Sequence, residues 1–179
     1  MLKILIATVG GSHQPIITAI KQLQPSYSCF FCSDHDPVTG QIGSRQQIDG
    51  TGLIIKRHPA DPEPSLPSIP KQLNMSSDQY EIVLVPTDDL DTAVEAMGEA
   101  ILRLKSIFPE AEIYANYTGG TKSMTAALVL STLEHQSVHL QLVTGVRSNL
   151  TKISSEIEPE HVTSATIERI KKRLANGIE

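Results

Sequence analysis

The sequence predicts a single α/β domain in which a parallel sheet of about six strands carries helices on both of its faces. Short apolar runs alternate with segments of helical periodicity along the chain, and this alternation is typical of parallel sheets. The length of 179 residues fits one domain, and the hydrophobic fraction of 40% and charged fraction of 20% are those of globular proteins. We expect the sheet domain over residues 1–148 and a C-terminal helical extension over residues 149–179.

The predicted strands are short apolar runs bounded by turn residues. The first, residues 2–8, is a continuous apolar run, as expected for a parallel strand that is buried on both faces. The further predicted strands are residues 27–32, 53–57, 81–85, 112–116 and 138–144.

Helical periodicity marks the segments between the strands. Pro15 suits the first turn of a helix that ends before Pro25. The apolar stripe over residues 90–108 predicts the clearest helix, which Asp88 or Asp89 can cap. The other predicted helices are residues 123–133 and 165–175, while residues 34–52 are expected to form a loop and residues 59–77, with five prolines, an extended connection.

Two glycine pairs, Gly10–Gly11 and Gly119–Gly120, each follow a predicted strand and open a predicted helix. In a doubly wound sheet, ligands bind beyond the carboxyl ends of the strands. Glycine lets the backbone approach a ligand and turn its N–H groups outward, helix N-termini favour anions, and Lys122 adds a full positive charge. The same loops carry hydroxyl groups on Ser12, Thr118 and Thr121. Each glycine pair alone could be only a tight turn, but both together favour a site for a phosphate-bearing nucleotide.

The common phosphate motifs do not match these loops. A P-loop requires Gly-Lys-Ser/Thr, whereas Thr121 separates Gly120 from Lys122. A dinucleotide fingerprint requires G-x-G-x-x-G, and the first loop continues to Gln14 and Pro15 without a third glycine. The site is therefore predicted from the chemistry of the loops.

Composition limits the partners and the compartment. The formal charge of −5 and the absence of tryptophan argue against long DNA or RNA, because such binders need a large basic face and stacking aromatic rings. No segment approaches the length of a membrane span. Cys29 and Cys32 lie on opposite faces of a predicted strand, which favours two reduced core thiols over a redox C-x-x-C motif at the start of a helix. We therefore expect a cytoplasmic protein.

The two loops resemble those of the CRISPR-associated Rossmann fold (CARF) domain family. The matching segments are residues 8–15, Thr-Val-Gly-Gly-Ser-His-Gln-Pro, and residues 116–124, Asn-Tyr-Thr-Gly-Gly-Thr-Lys-Ser-Met. The second is the more specific, because a T-G-G-T-K loop that opens an Ala-rich helix is the most recognisable feature of the family. The order of strands and helices matches over roughly residues 1–145, whereas residues 34–77 match only in general layout. The resemblance implies a Rossmann-like fold.

The resemblance further implies a homodimer that binds a cyclic oligoadenylate, the second messenger of type III CRISPR complexes, across its two-fold axis. Cyclic tetraadenylate is the expected ring, and cyclic hexaadenylate is the alternative. Small stand-alone members can be ring nucleases, which end the antiviral signal by cutting the messenger. They need no metal or other cofactor, because a ribose 2′-hydroxyl attacks the adjacent phosphorus.

The resemblance also implies roles for residues of the two loops. Ser12 would orient the ribose or phosphate, and Lys122 would stabilise the oxyanion or the leaving oxygen. His13 is a further candidate acid or base because of its titration range, and a cap or surface histidine is the alternative. The expected ligand-binding positions are Gly10, Gly11, Gln14, Asn116, Thr118, Gly119, Gly120 and Thr121.

Other charged residues have simpler interpretations. Asp34, His35 and Asp36 are adjacent, and adjacent side chains on a turn seldom converge on one ion, so a solvated turn is favoured over a metal site. Ordinary surface cations are expected at Arg45, Lys56, Arg57 and Arg147, with a contact from one of them to adenine or phosphate as the alternative.

Two functions stay open at this point. Residues 149–179 are too few for a nuclease domain, and their modest apolar stripe favours packing on the same domain over a dimer contact. If the chain is full-length, its shortness favours a ring nuclease. If it is cut from a longer protein, a non-catalytic sensor module is favoured. A different nucleotide enzyme and a transcription regulator are weaker alternatives, since a regulator would need a helix-turn-helix.

Overall fold

A computed structural model describes residues 1–40, 42–50, 67–135, 137–144, 160–163, 172–174 and 176–177. The strands are β1 (Lys3–Thr8), β2 (Tyr27–Cys32), β3 (Tyr80–Leu84), β4 (Glu112–Asn116), β5 (Val138–Thr144) and β6 (Glu160–Thr163). The helices are α1 (Gln14–Leu23), α2 (Ile69–Gln72), α3 (Leu90–Ile107) and α4 (Lys122–Glu134), and Ser44–Gln47 forms a 3₁₀ turn.

The strands form one sheet in the order β3-β2-β1-β4-β5-β6. The first five strands in this order are parallel, and β6 pairs antiparallel with β5. The chain builds outward from β1 through β2 to β3, and then adds β4 and β5 on the other side of β1. This reversal creates a topological switch point between β1 and β4, which is where open α/β sheets bind ligands. The predicted parallel α/β architecture is confirmed.

The helices cover both faces of the sheet, as predicted. Successive side chains of β1 alternate between two cores, so that Ile4 and Ile6 face α3 and α4, while Leu5 and Ala7 face α1. All four side chains are fully buried. This two-sided burial explains why the first strand is an apolar run without polar alternation.

One strand of the sheet lies in a segment that the sequence interpretation expected to be helical. The predicted strand over residues 53–57 lies outside the described residues, and β6 lies instead in the segment expected to be a helical extension. That expectation is corrected in this respect, since part of the extension completes the sheet. Of the predicted helix over residues 165–175, only residues 172–174 are described, and they are helical. A strand of four residues is too short for a reliable period-2 pattern.

Smaller features refine the predicted element ends. Asp89, not Asp88, caps α3, because its carboxylate accepts from the backbone N–H of Thr92 at 3.1 Å. The segment expected to be an extended connection contains the short helix α2, whose Ile69 and Pro70 are buried. In the described part of the chain, no helix is long and apolar enough to cross a membrane.

Both cysteines are free and buried in the core, as predicted. Cys29 faces α3 and α4, whereas Cys32 faces α1. Burial raises the pKa of the Cys32 thiol to about 12, and it raises the pKa of Cys29 well above its ordinary value, with the nearby carboxylate of Glu81 adding to the effect. Both groups are therefore neutral and unreactive in the folded protein at physiological pH.

Candidate ligand-binding site

The two glycine loops contact each other at the switch point between β1 and β4. A Cβ atom placed on Gly10 would lie 2.6 Å from the backbone nitrogen of Gly120, and one placed on Gly119 would lie 2.5 Å from the carbonyl oxygen of Thr8. Neither distance is compatible with a side chain, so both positions require glycine for close approach. We call this contact between Gly10–Gly11 and Gly119–Gly120 the glycine junction.

The second loop has a backbone conformation that depends on glycine. Gly120 has a φ of +90°, a value that residues with a side chain rarely adopt. The carbonyl oxygen of the preceding Gly119 accepts hydrogen bonds from the hydroxyls of Thr8 at 2.6 Å and Thr125 at 3.1 Å. The loop is therefore bonded both to the end of β1 and to the first turn of α4.

Three polar residues expected to contact the ligand form hydrogen bonds within the protein. Thr121 caps α4, since its hydroxyl accepts from Met124 N–H at 3.2 Å and donates to the Thr87 carbonyl at 2.8 Å. The Thr118 hydroxyl accepts from Val143 N–H at 2.8 Å. Asn116 is fully buried, and its side-chain oxygen accepts from Thr118 N–H at 3.1 Å. These bonds show how the three residues shape the loop, and their contact with a ligand stays a prediction.

The remaining candidates lie at or near the surface of the junction. Gly11, Ser12, Gln14 and Lys122 are exposed, and Gly10, Gly119 and Gly120 are partly exposed. His13 occupies the N-cap position of α1, but its side chain forms no capping hydrogen bond. The structure thus brings the candidates of the two loops to one edge of the sheet.

Electrostatics at the junction favour an anion. The helices α1 and α4 both begin there, and neither has an acidic residue in its first turn, so the partial positive charge of each N-terminus is not neutralised. Lys122 is the first residue of α4, a position at which a cation opposes the helix dipole. In contrast, α3 begins with the acidic cap Asp89 and with Asp91 in its first turn. An anion at the start of α4 would therefore be stabilised both by the helix dipole and by Lys122.

The neighbouring edge of the sheet is acidic. An open cleft of about 560 Å³ lies at the carboxyl ends of β2 and β3, and its polar lining includes Asp34, Asp36, Asp88 and Asp89. Asp36 serves the turn itself, because it accepts from Val38 and Thr39 N–H groups and from the Thr39 hydroxyl. These hydrogen bonds lower its pKa. Asp36 thus forms hydrogen bonds within an exposed turn, and the residues that the structure describes contain no group of three or more His, Cys, Asp or Glu side chains that could hold a metal ion.

The surface cations considered from the sequence do not join the junction where the structure describes them. Arg45 is bonded to Asp49 at 2.6 Å and lies 3.7 Å from Asp34, so it belongs to the acidic side. Lys56, Arg57 and Arg147 lie outside the described residues. The sequence interpretation did not single out Thr8 or Thr125 as site residues. Thr8 is the hydroxyl residue that ends an apolar strand, and Thr125 is one in the first turn of a helix, and neither pattern by itself points to a loop contact.

Comparisons with known proteins show the fold. No family model and no curated protein sequence matches the chain. The solved structure of Enterococcus italicus Csm6 bound to cyclic hexa-2′-fluoro-hexa-dAMP matches all of this chain and 40% of that one, with a TM-score of 0.59 and 17% identity. Can2 from Sulfobacillus thermosulfidooxidans in complex with cyclic tetra-adenylate matches 79% of this chain and 32% of that one, with a TM-score of 0.52 and 12% identity.

A third similar structure is protein VC1899 from Vibrio cholerae, with a TM-score of 0.53, 11% identity and coverage of 79% of this chain and 30% of that one. The chain thus spans less than half the length of each of these structures. The Rossmann-like fold implied by the resemblance to the CARF family is confirmed, and it is the fold of the corresponding parts of Csm6 and Can2.

Proposed function

We propose that this chain is a CARF domain that binds a cyclic oligoadenylate at the glycine junction. The observation that carries this proposal is the meeting of two glycine loops and two helix N-termini beside Lys122 at the switch point. Structures of similar fold contain cyclic nucleotides, a hexamer analogue in Csm6 and cyclic tetra-adenylate in Can2. The phosphate would lie against the backbone of the two loops, at Gly11 and Gly119, with Lys122 beside it.

A small ring fits the charge distribution better than a long nucleic acid. The whole chain carries a formal charge of −5, and the acidic cleft lies along the same edge of the sheet as the junction. A long strand leaving the junction toward β2 and β3 would meet this acidic surface, at a cost that grows with each phosphate. A compact ring, for which we expect the tetraadenylate first and the hexaadenylate second, can stay within the positive region.

We further propose that the ring binds across a homodimer. The outer face of α4 supports this, because no charged residue lies between Lys122 and Glu134 and Leu130 is 42% exposed there. An uncharged, partly apolar helix face is typical of a protein interface. Since α4 begins at the junction, a two-fold axis along this helix would bring the junctions of both copies to one ligand.

The first candidate activity is metal-independent cleavage of the ring. The 2′-oxygen of a ribose would attack the adjacent phosphorus, the bond to the 5′-oxygen would break, and the products would carry a 2′,3′-cyclic phosphate and a 5′-hydroxyl. The 2′-hydroxyl loses a proton and the leaving 5′-oxygen gains one. Ser12 would align the ribose, Lys122 would stabilise the negative charge at phosphorus or on the leaving oxygen, and His13 would exchange the protons.

The second candidate function is a sensor that binds the ring without cutting it. This alternative is supported by coverage, since the chain spans only 40% of Csm6 and 32% of Can2. A domain of this size can serve as the ligand-binding part of a larger protein. Both candidates share the junction, and both place the protein in the cytoplasm, in keeping with two free buried thiols.

One experiment separates these functions. The purified protein is incubated with cyclic tetraadenylate and with cyclic hexaadenylate in EDTA, and the products are followed by chromatography and mass spectrometry. Linear fragments ending in a 2′,3′-cyclic phosphate support the ring nuclease. Tight binding without turnover over hours supports the sensor. Absence of binding to either ring contradicts both, and cleavage that stops in EDTA contradicts the metal-independent mechanism.

A further inference from the structure

We propose that Asn176 is a site of spontaneous covalent modification, at which its side-chain amide is lost by reaction with the backbone nitrogen of Gly177. This modification is independent of the proposed function. Among the asparagines of the chain, Asn176 is the one that precedes a glycine. Both residues are exposed in the structure, just beyond the helical residues 172–174.

The side chain of Asn176 is free to adopt the reactive arrangement. In the part of the chain that the structure describes, this side chain forms no hydrogen bond. No partner has to be released before its carbonyl carbon turns toward the backbone. The carbonyl carbon and the nitrogen of the next residue belong to one short stretch of chain, and such an intramolecular attack is strongly favoured over one between separate molecules.

Gly177 leaves its own nitrogen open to reaction. A Cβ atom placed on this glycine would have nothing within 4 Å apart from its chain neighbours, and its φ is +68°. A side chain here would shield the nitrogen, and the backbone conformation is one that glycine adopts readily. The Gly177 N–H donates to the Leu174 carbonyl at 3.3 Å, which is a long hydrogen bond at a helix end, where such bonds open readily.

The reaction balances without an oxidant, a reductant or an enzyme. The Gly177 nitrogen forms a bond to the side-chain carbonyl carbon of Asn176, and the bond from that carbon to the side-chain nitrogen breaks. The proton of the attacking nitrogen leaves with the side-chain nitrogen as ammonia. Water then opens the cyclic imide at either of its carbonyl carbons. The products are aspartate, or isoaspartate, in which the chain continues through the side-chain carboxyl carbon.

Other sites of the chain lack one of these features. Asn74 is exposed but precedes a methionine, and Asn116 is fully buried and precedes a tyrosine. Asp49 precedes Gly50 and could form the same imide by loss of water. Its carboxylate, however, accepts from the Arg45 side chain at 2.6 Å, and a Cβ on Gly50 would lie 2.6 Å from the backbone oxygen of residue 46. These contacts hold the Asp49–Gly50 pair in place, so we expect Asn176 to react first.

The modification changes the helix end at which it occurs. It places a carboxylate where a neutral amide stood, at the C-terminal end of a helix, whose dipole disfavours negative charge. Isoaspartate also adds a methylene group to the backbone between the Asn176 N–H, which donates to the Lys172 carbonyl at 3.2 Å, and the Gly177 N–H. We therefore expect the folded chain to convert with time into forms with an added negative charge and a loosened helix end.

The test follows the purified wild-type chain in neutral and in mildly alkaline buffer. Samples taken over weeks are digested with a protease. Mass spectrometry with fragmentation then identifies where an NH₂ group has been exchanged for OH, and it distinguishes aspartate from isoaspartate. Gly177→Ala shields the attacking nitrogen, and Asn176→Gln has to close a larger ring. Asn74 in the same digests is the internal control, since it is exposed but no glycine follows it.

We expect Asn176 to convert before Asn74 and Asn116, and faster in the alkaline buffer, because the attacking nitrogen has to lose its proton. Both variants should convert at least about tenfold more slowly than the wild-type chain. Wild-type Asn176 that stays intact in the alkaline buffer overturns the proposal. Conversion no faster than that of Asn74, or no faster than in Gly177→Ala, overturns it as well.

Discussion

At the scale of single residues, absent side chains determine the geometry of the junction. Gly10 and Gly119 are adjacent to backbone atoms of the opposite loop, at distances that a Cβ atom cannot occupy. For the proposed function this closeness matters, because it would bring the backbone of two separate loops to one ligand.

Gly10→Ala should separate the two loops. The added methyl group would lie 2.6 Å from a backbone nitrogen that cannot rotate away, so we expect a loss of about 1–3 kcal/mol in the free energy of unfolding. Ring binding should weaken at least about tenfold, because the methyl group would push apart the two loops that form the proposed site. Urea unfolding and calorimetry measure the two effects.

The control for this substitution is Gly98→Ala in α3. A Cβ at Gly98 would meet only the His135 side chain, at 4.0 Å, and alanine is the better helix former by about 1 kcal/mol. Gly98→Ala should therefore stabilise the protein and leave ring binding unchanged. If Gly10→Ala binds the ring as well as Gly98→Ala does, the junction is not the binding site.

Lys122→Ala should separate function from stability. Lys122 is exposed at the first position of α4, where its charge opposes the helix dipole, so its removal should leave the folded state as stable or raise its stability by about 0.3–1 kcal/mol. Ring affinity should fall about tenfold, and any cleavage should fall by at least about a hundredfold. Lys21→Ala, at the opposite end of α1, is the control with an exposed lysine. Turnover of Lys122→Ala at the wild-type rate would contradict the catalytic role.

At the scale of elements, threonine hydroxyls join the second glycine loop to the loop after β3 and to strand β5. Thr121 connects the start of α4 to the Thr87 carbonyl in the loop after β3, and Thr118 connects the loop to β5 through Val143. These bonds explain why a loop with two glycines keeps one shape. They also connect the start of α4 to the junction, so a change at the start of the helix should alter the junction.

Thr121→Ala tests this connection. The variant loses the N-cap of α4 and the bond to Thr87, and we expect the free energy of unfolding to fall by about 1–2 kcal/mol. The amide of Gly120 should exchange faster, because the adjacent helix start frays. Asp89→Ala removes the cap of α3 in the same way, and it should lower the unfolding temperature without changing ring affinity. If Thr121→Ala and Asp89→Ala change ring affinity equally, Thr121 has no role at the junction beyond capping its helix.

Elements with strong local signals were predictable from the sequence, and those that depend on partners were not. The strand 112–116, the long helix and both glycine loops were predictable from local signals, which are apolar runs, helical spacing of apolar residues, and glycine or proline at the ends of elements. The strand β6 depends on its antiparallel pairing with β5. The residues around Glu160 carry no local signal of that pairing. The bond from Thr8 to Gly119 joins residues 111 positions apart, so only the folded chain reveals it.

The two loops were predictable from the sequence, whereas the hydrogen bonds that their residues form inside the protein were not. Asn116 and Thr121 share the sequence neighbourhood of Lys122, yet Asn116 is buried and both Thr121 bonds are internal. A sequence motif shows that its residues act together. It does not show which of them contact the ligand and which hold the loop, because burial is a property of the packed molecule.

At the scale of the whole molecule, charge and exposed apolar area divide the surface. The acidic cleft lies at β2 and β3, the positive junction lies at β1 and β4, and the uncharged outer face of α4 starts at the junction. In the homodimer that we propose, a second copy packed along α4 would bring its own junction to the same symmetric ring.

Leu130→Glu tests this assembly. Leu130 is 42% exposed on α4, so a charge there should cost little in folding but would be buried without a partner in the dimer. We expect the wild-type protein to scatter light as a dimer at micromolar concentration, and the variant as a monomer that keeps its fold by circular dichroism. Ring affinity should fall at least about a hundredfold, because one subunit supplies half of the contacts. Leu102→Glu, at a site 57% exposed on α3, should remain dimeric and bind normally. A Leu130→Glu monomer that binds the ring at full strength would locate the whole site within one chain.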